Sequence, residues 1–287
     1  MIKLAGVVVL YNPDSNVIDN LGSYIFGFEK LFVIDNSDCQ CVELINELLL
    51  RFGSQIEYFY MGGNLGIATA LNKGMMLAKE FQAGWVLTMD QDSMFQESSI
   101  KVLLESLNRI PLADQDRLGI LSCKHFIEGY PFEEDFSDFK EVDFVMTSGN
   151  LVNIDAYNKI GLFRDDFFID EVDVEFCRRL INDGYKIVVV NNAILLHYLG
   201  DTRKHNFFWR DFMCSHHSYN RRYYITRNRL YMVGLYPDLR FEYYLRNVVS
   251  LLKIILFEND KRRKLRAFFE GIFDSYKGLY GKKLFKY

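Results

Sequence analysis

Four short apolar runs, Leu4–Tyr11, Leu31–Ile34, Ile56–Tyr60 and Trp85–Met89, most narrow what this chain can become. The first is apolar at consecutive positions, with β-branched Val7, Val8 and Val9 side by side, not at alternate ones. That pattern predicts a strand buried on both faces, and such strands belong to parallel sheets. Helical patterns near Val17–Phe26, Val42–Arg51 and Ile67–Phe81 separate the runs, so the expected units are right-handed β-α-β crossovers in a doubly wound sheet. In these sheets ligands bind beyond the carboxyl ends of the strands. Here those ends are Tyr11-Asn12, Asp35-Asn36, Gly62–Gly66 and Asp90-Gln91-Asp92.

The last of these tips carries two carboxylates with one residue between them. At a strand end that spacing suits a hard divalent cation, which takes oxygen ligands and leaves room for substrate phosphates. An acidic turn after a buried strand is the competing structural explanation, and only further motifs decide between the two. Gly62-Gly63-Asn64-Leu65-Gly66 is not a G-x-G-x-x-G signature and follows the third strand, which disfavours a dinucleotide fold. Glycines before a helix still let a ligand approach the backbone and offer free N–H groups to an anion.

Length and charge bound the rest. At 287 residues, 49% hydrophobic and 25% charged, the chain is a folded protein with one large α/β domain and space for an appendage. The net charge of −4 hides an asymmetry: residues 1–220 carry 18 Lys+Arg against 32 Asp+Glu, residues 221–287 carry 16 against 6. A basic tail on an acidic body points to an anionic partner surface, and the acidic body speaks against nucleic acid. Five cysteines without a C-x-x-C pair indicate neither a disulfide framework nor a zinc site, and fit free thiols in a reducing cytoplasm. The first apolar run is too short to span a membrane and has no cleavable-signal pattern.

Beyond residue 95 the pattern predicts a helix over Ser98–Arg109 and a strand over Leu118–Cys123. Then come an acidic, aromatic loop from Phe126 to Glu141, long enough for a lid or acceptor-facing loop, and a strand over Val142–Thr147. Ser148-Gly149-Asn150 forms a turn before a short helix over Asn153–Leu162. Acids crowd the start of the next helix: Asp170, Glu171, Asp173 and Glu175, more than the helix dipole requires. The strand Ile187–Val190 and the run Ala193–His197 bring a histidine to a strand end.

Taken together and in order, Val8–Asn12, Val33–Ser37, Asn64–Ala68 with Asn72-Lys73-Gly74, Asp90–Ser93, Ser148–Asn150, Val172–Glu175 and His197 resemble the inverting GT-A glycosyltransferases of family 2, most of all the rhamnosyltransferase-like subgroup. The resemblance covers residues 4–200. It implies an α/β GT-A fold, a mostly parallel Rossmann-like sheet flanked by helices, with a catalytic domain over 1–210 (nucleotide-sugar half about 1–95, acceptor half about 96–210) and a helical C-terminal region over 211–287. It implies that Tyr11, Asn12 and Asp35 contact the nucleoside, that Asn64, Gly66 and Asn72 line the nucleotide pocket, and that Asp90 touches ribose or metal. Asp92 and His197 would hold Mg2+ or Mn2+. Asp173 would be the general base, with Glu175 the next acid on the helix. The family's acid before the base is Val172 here, with Asp170 and Glu171 shifted upstream, so these two stay in contention for the base.

The implied reaction moves a sugar, L-rhamnose from dTDP-rhamnose by preference, from a nucleoside-diphosphate donor to a glycan or lipid-linked acceptor in bacterial surface polysaccharide synthesis. A sugar-1-phosphate nucleotidylyltransferase is the alternative enzyme, disfavoured because the first strand ends in Tyr11-Asn12-Pro13, not in a Gly-rich loop with Arg and Lys. A non-catalytic nucleotide-sugar-binding protein is the other. In the basic tail, Phe241–Phe257 is apolar but interrupted by Glu242, Arg246 and Lys253, which argues against a bilayer span. Leu265, Phe268, Phe269, Ile272, Tyr276 and Leu279 fall at helical spacing with basic flanks. The tail is expected to be either a peripheral contact with the inner face of the cell membrane or a helical appendage, and self-association is compatible with it.

Overall fold

The structure, a computed structural model, describes residues 3–110, 112–130, 132, 135–197, 202–207 and 210–285, with backbone alone for 112–113, 202–207 and 210–214. The chain divides into two compact units, Met1–Arg164 with Asp173–Tyr198, and Asp165–Val172 with Leu199–Tyr287.

The first unit runs β1 (Leu4–Leu10), α1 (Asn16–Gly22), β2 (Lys30–Asp35), α2 (Val42–Phe52), β3 (Ile56–Tyr60), α3 (Ile67–Glu80), β4 (Trp85–Asp90), β5 (Ser93–Phe95), α4 (Ser99–Arg109) and α5 (Leu112–Gln115). It continues through β6 (Leu118–Ile127), β7 (Phe139–Glu141), β8 (Asn150–Asn153), α6 (Ile154–Ile160), α7 (Val172–Asn182) and β9 (Lys186–His197). One sheet has the order β3-β2-β1-β4-β8-β6-β9-β5, with β7 on β9. β3, β2, β1 and β4 are parallel, as the doubly buried first run predicts, and Val7, Val8, Leu10, Leu31, Val33, Val86 and Leu87 are fully buried. Register aligns the carboxyl ends: Leu10 lies opposite Asp35, and Val9 opposite Asp90. Gly66 enters α3 with φ +94°, a left-handed value that glycine adopts without strain, which accounts for the glycine before this helix.

Past β4 the sheet turns mixed. β8 runs antiparallel to both β4 and β6, while β6 and β9 are parallel. Val142–Thr147 is not a strand: both edges of β6 are already taken by β8 and β9, and carbonyls in the segment accept from side chains, Thr147 from Thr88 and Met146 from Asn150. The Phe126–Glu141 loop is shorter than expected because β6 extends to Ile127 and β7 begins at Phe139; Pro131, Glu133 and Glu134 lie outside the described residues. Between Cys123 and Lys124 the β6–β9 register jumps from Val190 to Ile194, a bulge in β9 that re-aims its last four residues. Leu195–His197 then pair antiparallel with β5, a strand the sequence pattern did not predict. Cys123 and Cys177 are free and buried, with burial raising both thiols, Cys177 to about 12; Cys39 and Cys41 are free and exposed, and the Cys214 side chain is outside the described residues.

The second unit holds the hairpin β10 (Thr202–Phe207) and β11 (Arg210–Ser215), then α8 (Tyr219–Leu235), α9 (Arg240–Leu256) and α10 (Lys261–Tyr276). The buried Glu258 carboxylate binds both Arg222 and Lys264, so these charges are paired inside the bundle. Eight residues just upstream of Asp173 belong to this unit, and no composition signal marks them. Among the described residues no helix is long and apolar enough to cross a membrane.

Candidate active site

The carboxyl edge of the parallel strands is a web of side-chain to backbone hydrogen bonds. Asp35, fully buried at the end of β2, accepts from its own turn through Ser37 N (2.9 Å) and from the Tyr58 hydroxyl (2.6 Å). Burial and that bond push the Tyr58 hydroxyl well above the ordinary phenol range, so it stays a donor. Asn12, left-handed at φ 45° where the chain leaves β1, donates its N–H to Ser37 Oγ at 2.7 Å. The Asn36 side chain links to Asn64 Oδ1 (3.2 Å) and accepts from Leu65 N (2.8 Å), while Asn64 Oδ1 also accepts from Gly66 N (3.0 Å). Gln91 clamps Tyr11 in both directions, accepting from its N–H at 2.7 Å and donating to its carbonyl at 3.1 Å. Tyr11, Asn12, Asp35, Asn64 and Gly66 therefore share one edge.

Asn72 has different partners. Its amide donates to Phe163 O (2.8 Å) and accepts from Phe163 N and the Tyr157 hydroxyl (both 2.9 Å), fastening α3 to the segment after α6. These bonds make it a brace.

Asp90, Asp92 and His197 offer ligand atoms that all lie within 4.8 Å of one another. The bulge in β9 and its pairing with β5 produce this meeting: His197 lies opposite Ser93, one residue after Asp92, and its Nδ1 is 2.7 Å from Ser93 Oγ and 3.8 Å from Asp92 Oδ1. Burial lowers the His197 pKa and the Asp92 charge opposes it; the buried ring is neutral at neutral pH and keeps a lone pair. Two carboxylates and one neutral imidazole fit Mg2+ or Mn2+. Asp92 is half-exposed and opens onto a polar cleft with Asp14, Asn16, Asn20 and Gln91. Ser148 steadies the cluster: its Oγ accepts from Asp90 N (3.1 Å), and its carbonyl pairs with His125 Nε2 (2.8 Å). His125, pushed down to about 4 by burial, is neutral and packs edge-on to His197 at 6.1 Å. Gly149 is doubly constrained, with φ +82° and Cys123 Sγ 2.3 Å from where a Cβ would sit. Ser93 belongs to the Asp90–Ser93 motif, but its bond to His197 is not legible in the sequence, and His125 carries no signal there, since a lone strand histidine means nothing without the pairing.

The acids around the start of α7 divide by partner. Glu175 is fully buried and bound by Arg179 Nε at 2.9 Å to both oxygens, while Arg179 also donates to the carbonyls of Ile160, Gly161 and Leu162. Glu175 thus anchors α7 to the end of α6 and, as a carboxylate committed to an ion pair, is not placed as a proton acceptor. Asp170 is paired with Arg221 at 3.0 Å, and Glu171 accepts from the Tyr243 hydroxyl (2.7 Å) with Arg229 at 3.7 Å. Asp173, half-buried, accepts from Val174 N and lines a narrow cavity with Thr88, Thr147, Asn150 and Phe163. Thr88 lies two residues before Asp90 and so on the same face of β4. Asp173 does not line the Asp92 cleft.

Within the second unit the segment ahead of Asp173 is held against its own preferences. Phe168, Asp170 and Glu171 have φ of 66°, 62° and 64°, each costing on the order of 1 kcal/mol for a non-glycine residue. Asn228 compensates: fully buried on α8, its amide donates to the carbonyls of Phe167, Ile169 and Asp170 (2.9, 2.6 and 3.1 Å), and Arg227 donates to those of Asp166 and Phe167. Asn228→Ala should lower unfolding stability by about 3 kcal/mol by stripping donors from buried carbonyls. Urea denaturation reads this directly, and an unchanged midpoint would show that Asn228 does not hold the segment.

This arrangement has counterparts among known proteins. Residues 15–161 match the family model described as Glycosyl transferase family 2, and the chain belongs to that family. A curated relative, the dTDP-rhamnosyl transferase RfbF of Shigella flexneri, is 23% identical over 223 residues, covering 69% of this chain and 70% of that one. Among solved structures, S. aureus TarS 1-349 in complex with UDP-GlcNAc superposes with a TM-score of 0.54 at 14% identity, covering 96% of this chain and 73% of that one. GalNAc-T7 with UDP, GalNAc and Mn2+ gives 0.56 at 12% identity, covering 69% of this chain but only 44% of that chain. The fold is the GT-A α/β fold with a C-terminal helical region, and the protein is a glycosyltransferase.

Proposed function

We propose that the protein is a metal-dependent inverting glycosyltransferase that moves L-rhamnose from dTDP-rhamnose to a glycan or lipid-linked saccharide, in the cytoplasm, during surface polysaccharide synthesis. The observation that carries the reading is the meeting of Asp90, Asp92 and His197 at the strand edge that also carries Asp35. The curated relative's description as a dTDP-rhamnosyl transferase supports the donor.

In this reading Tyr11, Asn12 and Asp35 hold the nucleoside and the Asn64–Gly66 turn borders the nucleotide. A divalent cation held by Asp92 and His197, with Asp90, would neutralise charge as the diphosphate leaves. Asp173 accepts the proton of the acceptor hydroxyl while that oxygen bonds to the anomeric carbon and the bond to the diphosphate breaks on the opposite face. Attack from the far side inverts the anomeric centre. The groove lined by Lys124, His125, Asp135, Lys140, Phe144 and Met146 is the candidate acceptor surface.

Thermal-shift measurements with Mn2+ test the donor. At saturation dTDP-rhamnose should stabilise the protein by about 2–3 kcal/mol, a shift of several degrees, and more than any UDP-hexose. A larger shift with a UDP-hexose would overturn the donor assignment.

A further inference from the structure

Helix α9 is amphipathic in the wrong sense for a helix that only fills a bundle. Its buried face is largely polar and committed to hydrogen bonds: Tyr243 donates to Glu171, and Ser250 and Asn247 accept from Arg229. Its outward face is apolar. Phe241, Leu245, Val248, Leu252, Ile255 and Leu256 follow one another at mostly three- and four-residue steps and are 44–81% exposed. A stripe of this kind exposes on the order of 500 Å2 of contiguous apolar surface, at the upper end of what a monomeric soluble protein leaves uncovered. Phe269 and Phe273 of α10 are exposed as well.

Cations bracket the stripe. Exposed Arg240 stands at its start, and exposed Lys261, Arg262 and Arg263 follow its end; residues 240–285 together carry eleven Lys+Arg against five Asp+Glu. We propose that this face of α9 docks the protein in the plane of an anionic phospholipid surface, with the apolar stripe in the acyl boundary and the flanking cations at the headgroups. Charge selects this occupant over a second copy of the chain. Two copies paired through the stripe would set Arg240 against Lys261–Arg263 if antiparallel, or each basic end against itself if parallel. The proposal goes beyond the catalytic reading and stands without it, because no catalytic residue lies on the stripe.

Sedimentation of the full chain with vesicles tests it. The protein should bind vesicles of phosphatidylcholine containing about 30% phosphatidylglycerol at least about tenfold more tightly than phosphatidylcholine alone, and added salt should weaken the binding. L245E/L252E, at half-exposed positions that leave the fold intact, should abolish binding while circular dichroism and donor hydrolysis stay at wild-type levels. R262E/R263E should remove the preference for the anionic lipid. Absence of vesicle binding by the wild-type chain, or undiminished binding by L245E/L252E, would overturn the proposal. So would a dimer in analytical ultracentrifugation that L245E/L252E dissolves while vesicle binding persists.

Discussion

Asp173→Asn should reduce the turnover of sugar transfer by about 10³-fold, the scale of a lost general base, while leaving affinity for the nucleoside diphosphate within about twofold. The substitution is nearly isosteric, and the asparagine oxygen can still accept from Val174 N, so the first turn of α7 keeps its geometry. What it loses is the capacity to take a proton. The neighbouring acids have their own cations, Asp170 with Arg221, Glu171 with Arg229 and Glu175 with Arg179, so each can be substituted separately from Asp173. Burial raises the Glu171 pKa, with the Tyr243 bond and Arg229 opposing. Asp170→Asn, measured beside Asp173→Asn, separates the candidates. Steady-state kinetics with a purified acceptor should show the large loss in kcat for Asp173→Asn; turnover within about tenfold of wild type there, with a greater loss in Asp170→Asn, would move the base to Asp170.

The sequence was most legible where local pattern and tertiary environment agree. β1, β2 and β4 are buried on both faces, so consecutive apolar residues announce them, while β3, at the sheet edge, is buried only at Ile56; the polar ends of these strands mark the ligand edge. Asp35, Asn64 and Gly66 follow from that edge. Past β4, mixed pairing removes the signal: Val142–Thr147 is as apolar as a strand, but neither edge of β6 is open to it. His197 matches a family motif, yet local pattern alone could not bring it to Asp92. Its approach depends on a bulge a few residues upstream and on a three-residue strand, β5, too short to show a period. The same limit hid the support of the 165–172 segment. Three left-handed residues without glycine look like an ordinary acidic turn until Asn228, some sixty residues later, is seen to bind carbonyls there. Asn72 shows the converse, a residue in a nucleotide-pocket motif whose amide is spent on the backbone of Phe163.

Asp92→Ala should abolish the metal dependence of donor binding: affinity for the nucleoside diphosphate in Mn2+ should fall at least about tenfold, to the value wild type shows in chelator. Asp92 is the cleaner probe of the cluster because its side chain is half-exposed, so its removal should change stability by no more than about 0.5 kcal/mol. His197→Ala is expected to weaken the same step, but it also deletes a buried ring bonded to Ser93 and packed on His125, which mixes a folding cost into the result. The two substitutions become informative together. If both side chains act through one cation, the loss in the double variant should be no greater than in Asp92→Ala alone, because removing the first ligand already removes what the second contributes. Titration calorimetry with and without Mn2+ reads both quantities. Equal nucleotide affinity in wild type and Asp92→Ala across metal concentrations would leave the cluster a polar strand end and require the diphosphate's charge to be met elsewhere, with the backbone N–H groups of Gly62 and Gly63 the next candidates, since those of Leu65 and Gly66 already donate to Asn36 and Asn64.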